Sequence, residues 1–149
     1  MNFLFILFTS LLLQSLPQDS ISQVLQRSYN ITPLVFHHPE KVIFNTRPYD
    51  IDLFVDFKNE KINSVSLFIK TDVSNSYTEH SMGVTRGRYR YRFDPNKTPV
   101  KNIEYFFIVT LKDFSIYAAP LDKNGYIKTV KRTLVDPAKY FKQRLNKRQ

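Results

Sequence analysis

Alternating apolar and polar residues mark a series of short β-strands, and the densest such run lies between residues 101 and 119. Over residues 103–111, two sets of residues alternate along the chain. The first set is Ile103, Tyr105, Phe107, Val109 and Leu111, and the second set is Glu104, Phe106, Ile108 and Thr110. A period of two is typical of a strand with one face in a core. Lys112-Asp113-Phe114 then interrupts the pattern, which returns over 115–119. We therefore predict a central β-hairpin.

Further runs with the same period flank this hairpin, and turn signals such as Asn124-Gly125 separate them. The predicted strands cover residues 49–57, 65–70, 77–82, 88–93 and 126–130, with a split edge strand over 33–36 and 41–45. Their apolar phases predict a core between two sheets, made of Leu53, Val55, Leu67, Tyr89, Tyr91, Tyr105, Phe107 and Val109. About seven short strands of this kind predict an all-β fold, an antiparallel sandwich.

Helical patterns occur only near the two ends. In the leader segment, Ile21, Val24 and Leu25 follow a helical spacing, which predicts either a short helix or a loose segment. Near the other end, Asp136-Pro137 is typical of an N-cap followed by proline at the first helical position, so we expect a helix to about Asn146. The predicted divisions are a signal peptide over 1–18, a leader over 19–32, the sandwich over 33–130 and a basic helical tail over 131–149.

The signal peptide is predicted from the apolar run Phe3–Leu13. The run is too short to cross a bilayer, which needs about 20 residues. It has the length of a signal-peptide core, although no Lys or Arg precedes it. The alternative is a buried N-terminal strand or helix. We expect cleavage after the run and a secreted, periplasmic or cell-surface protein.

Composition narrows these possibilities further. A chain of 149 residues, 42% of them hydrophobic, supports one domain with a real core. The net charge is +9, but residues 131–149 alone hold seven basic residues against one acidic residue. The basic character therefore belongs mainly to the tail. The chain has no cysteine, which excludes disulfides, thiolate metal sites and a cysteine nucleophile.

Several motifs follow one another in the middle of the chain: VSLFIKTD over 65–72, then Tyr77, Met82, Gly87-Arg-Tyr89 and Pro95, and finally IEYFFIV over 103–109 leading to Lys112-Asp113. This order resembles the immunoglobulin-like and fibronectin type III-like modules of bacterial secreted and surface proteins, over residues 33 to 130 or so. The resemblance implies an immunoglobulin-like sandwich that serves as a spacer, docking domain or ligand binder. The low glycine count and the basic helix depart from the pattern, and the tryptophans expected of a carbohydrate-binding sandwich are absent.

Residues capable of metal or acid–base chemistry do not form a convincing site. His37 and His38 are adjacent, so on a strand they point to opposite faces and cannot both bind one ion without a bend. Acidic residues at 50, 52 and 56 favour a solvated strand face over a calcium loop. We find no phosphate loop, nucleophile elbow or metal-binding helix motif. We expect no cofactor, no metal and no enzymatic activity.

Two surfaces are candidates for binding. The first is a basic strand in which arginines alternate with Tyr89 and Tyr91, namely Arg86, Arg88, Arg90 and Arg92. It is a candidate surface for an anionic ligand, although nucleic acid is disfavoured because the tyrosines belong to the core phase. Pairing of these arginines with acidic residues on a neighbouring strand is the simpler interpretation.

The second candidate is an apolar stripe on an outer sheet face, formed by Phe68, Phe106 and Ile108. Such a stripe requires a cover. We expect Phe141 and Leu145 of the terminal helix to provide it, with the leader helix, a partner protein or a second copy as alternatives. Together these five residues form the predicted interaction surface.

The function predicted from these features is a non-catalytic module that is secreted or bound to the cell envelope. It acts through contacts with another envelope protein or within a larger assembly, in a structural or docking role. A module that binds glycan or an anionic polymer is the alternative. We expect no transmembrane span, and the basic tail is free to touch an acidic surface.

Overall fold

A computed structural model of the protein describes residues 18–85 and 88–147. The predicted signal peptide, apart from its last residue, and Arg86 lie outside these ranges. The elements in chain order are α1 (Gln18–Gln26), β1 (Val35–Phe36), β2 (Ile43–Phe44), β3 (Tyr49–Val55), β4 (Ile62–Thr71), β5 (Thr78–Ser81), β6 (Gly83–Thr85), β7 (Arg88–Phe93), β8 (Asn102–Leu111), β9 (Ile116–Ala119), β10 (Val130–Val135) and α2 (Pro137–Asn146). A short 3₁₀ helix, Asn59–Lys61, precedes β4.

The strands form two sheets with one core between them. The first sheet has the order β1-β3-β7-β6, and the second has the order β2-β10-β8-β4-β5 with β9 also paired to β8. The strand pairs are antiparallel except β2 with β10, which are parallel. The predicted mainly β fold with a short C-terminal helix is confirmed.

The predicted core is also confirmed. Leu53, Leu67, Tyr105, Phe107 and Val109 are each at most 1% exposed, so alternation along β3, β4 and β8 correctly identified their inward faces. Tyr89 is buried as well, while Val55 and Tyr91 are partly buried against the same cluster. The two sheets are therefore held together by aromatic and branched side chains from both.

The strand boundaries differ from the prediction mainly at the edges of the sheets. The split edge strand contributes β1 to the first sheet and β2 to the second. We predicted a last strand over 126–130, and this is wrong: the strand is Val130–Val135. Residues 131–135, assigned to the helical tail, therefore belong to the second sheet. In the segment before β10, residues 121 and 127 form an isolated β-bridge on either side of the turn at Asn124-Gly125.

The leader segment is part of the fold. It forms α1, and Ile21 and Tyr29 are buried. The Tyr29 amide donates to the carbonyl of Gly125 over 2.8 Å. Gly125 has φ +82°, and a Cβ there would lie 2.5 Å from the Tyr29 carbonyl oxygen. Only glycine fits this turn, which fastens the leader to the β9–β10 connection.

The turn between β8 and β9 holds an aromatic residue in an unfavourable backbone conformation. Phe114 has φ 66° and is 87% exposed. A left-handed conformation costs a non-glycine residue about 1 kcal/mol or more. We expect Phe114→Gly to raise the free energy of unfolding by about 1 kcal/mol, measured by urea denaturation. Ser115→Gly, at an ordinary backbone position of the same turn, is the control, and a loss of stability in Phe114→Gly would contradict the prediction.

Candidate interaction surfaces

The register of β3 and β7 places acidic residues opposite arginines on the outer face of the first sheet. Asp50 lies opposite Arg92, and Asp52 lies opposite Arg90. The Arg90 guanidinium donates to both carboxylate oxygens of Asp52, from Nε at 2.7 Å and from Nη2 at 2.8 Å. This bidentate geometry is the strongest form of an arginine–carboxylate pair. These hydrogen bonds are the main cause that lowers the pKa of Asp52.

The other described arginines of this strand are also paired. Arg88 Nη1 lies 3.1 Å from Asp52, and Arg92 Nη1 lies 3.3 Å from Asp50. The simpler interpretation of the basic strand is therefore confirmed for Arg88, Arg90 and Arg92. Of the candidate anionic-ligand residues, Arg86 lies outside the described residues.

An aromatic cluster adjoins this ladder. Phe36 on β1 lies opposite Phe54 on β3, and their rings stack with centroids 5.0 Å apart. The His38 ring stands edge-on to Phe36 at 5.6 Å, and the Arg88 guanidinium lies 5.7 Å from the Phe54 centroid. We call the surface made of Phe36, His38, Phe54, Arg88, Arg90 and Arg92 the aromatic–arginine face.

Sequence reasoning missed the aromatic part of this face. One signal was present, because Phe54 occupies the outward, acidic phase of its strand between residues 52 and 56. The partner of Phe54 could not be found from the sequence, since it depends on the register of the two-residue strand β1.

The predicted apolar stripe exists, but it is buried. Phe68 and Phe106 lie opposite each other on β4 and β8, and their rings stack at 5.0 Å with an interplanar angle of 6°. Tyr77 packs edge-on against Phe106. Phe106 is 0% and Phe68 is 5% exposed, while Ile108 is partly buried. Phe68 and Phe106 are therefore too buried to form an interaction surface, whereas Ile108 keeps part of its surface open.

The terminal helix does not cover the stripe, so our preferred candidate was wrong; Tyr77 packs on Phe106, and α1 borders the stripe at Phe68 and Ile108. Residues of α1, including Val24, share a cleft of about 440 Å³ with Ser66, Phe68 and Ile108. The reason lies in the strand order: β10, which leads into α2, is next to β2 and is separated from β4 by β8. The terminal helix therefore begins beside the opposite edge of the sheet.

Phe141 and Leu145 remain largely exposed, at 54% and 65% respectively. α2 begins as predicted, with the Asp136 carboxylate accepting a hydrogen bond from the Ala138 amide at 2.8 Å. It contacts the sandwich through Phe44, whose ring lies 5.6 Å from Tyr140 and 5.9 Å from Phe141. The five residues of the predicted interaction surface are thus divided between a buried cluster and an exposed helix.

His37 and His38 point to different sides, as their adjacency predicted. His37 reaches inward, where Nδ1–H donates to the carbonyl of Asp52 over 2.7 Å and Nε2 accepts from the Tyr105 hydroxyl over 2.9 Å. One imidazole therefore joins β3 of the first sheet to β8 of the second. Burial is the main cause that lowers the pKa of His37.

This linkage predicts a pH-dependent stability. Because the folded-state pKa of His37 is below the unfolded value of about 6.5, the unfolded chain binds more protons as the pH falls. Stability is full above that value and declines as the pH falls toward the folded-state pKa. Burial also lowers the pKa of His80, which adds to the same decline. Urea midpoints between pH 7.5 and 5 should therefore fall less in His37→Gln than in the parent.

The matched comparison is His80→Gln, and the double variant should be nearly independent of pH in this window. Titration of Asp52 does not interfere, since its pKa is lowered from the ordinary carboxylate range and its effect falls at more acid pH. A His37→Gln profile that parallels the parent would contradict the role given to His37.

Within residues 18–85 and 88–147, no group of three or more His, Asp or Glu side chains is arranged to hold a metal ion. In the same part of the chain, neither helix has the length and hydropathy needed to cross a membrane. The fold and its surfaces thus define a two-sheet β protein with α1 beside the outer face of one sheet and an aromatic–arginine face on the other. No protein-family model and no curated protein matches the chain.

Proposed function

We propose that the chain is an immunoglobulin-like domain that acts by binding another protein, without catalysis. The strand order supports this proposal. In immunoglobulin lettering, β1-β3-β7-β6 reads A-B-E-D, and β2-β10-β8-β4 reads A′-G-F-C with β5 as C′. The split of the first strand between the two sheets is part of the same pattern.

The aromatic–arginine face is the proposed contact surface. The stacked pair of Phe36 and Phe54 is the observation that carries this assignment, because Phe36 remains 40% exposed in the centre of an aromatic cluster. Aromatic residues and arginine are enriched in protein interfaces and supply most of their hot spots. The outer face of the other sheet is partly screened by α1, which borders a cleft beside Phe68 and Ile108.

The charges indicate the partner's character. Three arginines face Asp50 and Asp52 here, and Asp56 follows in the same phase of the chain, so the charges of this surface balance. Arg92 is the most exposed of the three, with 67% of its side chain accessible. The surface fits a protein with an apolar centre and a mixed polar rim, such as another component of an envelope assembly.

An anionic polymer or a glycan is the weaker alternative. Each described arginine already has a carboxylate partner, and an anion would have to compete with Asp50 and Asp52 for it. Exchange of the aspartate for an external anion contributes little binding free energy, because each arginine–aspartate pair already satisfies the hydrogen bonds of the guanidinium.

Photocrosslinking tests the proposed surface. A photoreactive phenylalanine analogue is placed at Phe36, and the same analogue at Tyr126, which is 45% exposed, is the matched control. In extract of the source cells, position 36 should yield a protein adduct that position 126 does not. Phe36→Ser with Phe54→Ser should reduce capture of that protein at least tenfold, while Tyr126→Ser leaves it unchanged.

Two results would overturn the proposal. Equal loss of the partner in Phe36→Ser/Phe54→Ser and in Tyr126→Ser would show that the contact lies elsewhere. Binding to a polyanion or glycan array that Arg92→Ala abolishes and Phe36→Ser leaves intact would favour the ligand-binding alternative.

Export is part of the same proposal. The apolar run Phe3–Leu13 supports a cleaved signal peptide, and a domain without cysteine needs no disulfide after export. Intact-mass analysis of protein recovered outside the cytoplasm should give a mass that lacks residues up to about 18. Retention of Met1 in the exported protein would contradict cleavage.

A further inference from the structure

We propose that α2 binds the surface of membranes that contain anionic lipid. This inference is independent of the aromatic–arginine face. It starts from the composition of the segment 137–147, which holds four basic residues and no acidic residue: Lys139, Lys142, Arg144 and Lys147. Such a segment is attracted to a negatively charged surface.

The apolar side chains of α2 project on one side of the helix. With about 100° between successive residues, Phe141 and Leu145 lie about 40° apart around the axis. Lys142 and Arg144 each lie about 60° outside this pair, on opposite sides. Apolar residues flanked by cations are the arrangement of helices that lie in the lipid interface, where long basic side chains reach the headgroups.

The structure leaves this side of the helix accessible. Leu145 is 65% exposed, Phe141 is 54% exposed although its ring stacks on Phe44 at 5.9 Å, and every residue over 141–147 is exposed. The helix is nevertheless held in place at its start by the Asp136 cap and by the contact of Tyr140 with Phe44. A further cation, Arg47, lies 5.4 Å from the Phe44 centroid and adds to the positive charge at this corner.

An anionic lipid surface fits these features better than an acidic protein does. A bilayer accepts protruding apolar side chains without a matching pocket, and it offers negative charge on all sides of them. The charge pattern and the exposed apolar side chains therefore point to a lipid surface.

Vesicle co-sedimentation of the full chain tests this assignment. Vesicles of phosphatidylcholine with about 30% phosphatidylglycerol should bind the protein at least tenfold more strongly than phosphatidylcholine alone, since each basic residue near an anionic surface adds roughly fivefold. The double variant Lys139→Glu/Lys142→Glu should bind these vesicles at least tenfold more weakly than the parent does. The control is the double variant Lys112→Glu/Lys123→Glu, which changes two exposed lysines elsewhere. Its net charge changes by the same amount, and it should retain most of the vesicle binding.

A local probe separates α2 from the apolar N-terminus, which all variants share. Because the chain has no cysteine, Leu145→Cys gives a single site for an environment-sensitive fluorophore. Its emission should shift to shorter wavelength with anionic vesicles, while the same label at Lys112→Cys should not respond. A silent label at position 145, or equal loss of binding in the two lysine variants, would overturn the proposal. If the protein bound poly-glutamate and showed no preference for anionic vesicles, the ligand of α2 would be an acidic polypeptide and the lipid proposal would be wrong.

Discussion

Phe107→Ala is expected to lower the free energy of unfolding by about 3–5 kcal/mol, as aromatic truncations in a core do. The Phe107 side chain is 0% exposed and lies between the sheets, opposite Leu67 on β4 and Ala119 on β9. Its ring also contacts His37 at 4.9 Å. The substitution therefore removes buried apolar surface and leaves a cavity beside the imidazole that joins the sheets.

Urea denaturation followed by circular dichroism measures this effect. Tyr126→Ala is the matched control, because that side chain is 45% exposed and its loss should cost less than about 1 kcal/mol. A midpoint in Phe107→Ala that moves no further than in the control would show that the side chain does not lie in the core.

Ile21→Asp is expected to cost about 3 kcal/mol, the second largest effect. Ile21 is 7% exposed on α1, and full burial of an isoleucine side chain contributes about 1.5–3 kcal/mol. An unpaired carboxylate cannot remain buried there, so the helix should leave the sheet. Phe68 and Ile108, which line the cleft beside α1, would then become more accessible to solvent.

An apolar dye should report this exposure directly. Ile21→Asp should bind the dye under conditions where the parent does not. Leu145→Asp, which makes the same kind of change on the exposed α2, should leave both the dye signal and the midpoint unchanged. If Leu145→Asp is the variant that binds dye, the placement of α1 beside the stripe is wrong.

Alternation along the chain was sufficient to predict the core and the outward direction of Phe68 and Phe106. It was insufficient to predict which helix lies beside this stripe, because both helices carry suitable apolar residues. That choice depends on the path of β10, whose extension to Val135 brings α2 next to Phe44. Periodicity in one strand contains no information about its neighbours, so this outcome required the topology.

The aromatic–arginine face, too, could be predicted only in part from the sequence. The outward phase of the arginines and of Asp50 and Asp52 could be predicted, and their pairing followed from adjacency of β3 and β7. The stacking of Phe36 on Phe54 could not, since β1 is only two residues long and its register is determined by tertiary contacts. The face was therefore interpreted from its charges, while its aromatic part went unrecognised.

The short strands at the sheet edges affect how readily the protein aggregates. The strands at the sheet edges, β1, β6, β2 and β5, have two, three, two and four residues, and β9, whose partner is β8, has four. Strands this short offer little template for pairing between molecules. The long apolar strand β8 has the composition of an amyloid-forming segment, and it is enclosed by β4 on one side and by β9 and β10 on the other. Aggregation should therefore require opening of the whole sandwich, and its rate should follow global stability across the variants described above.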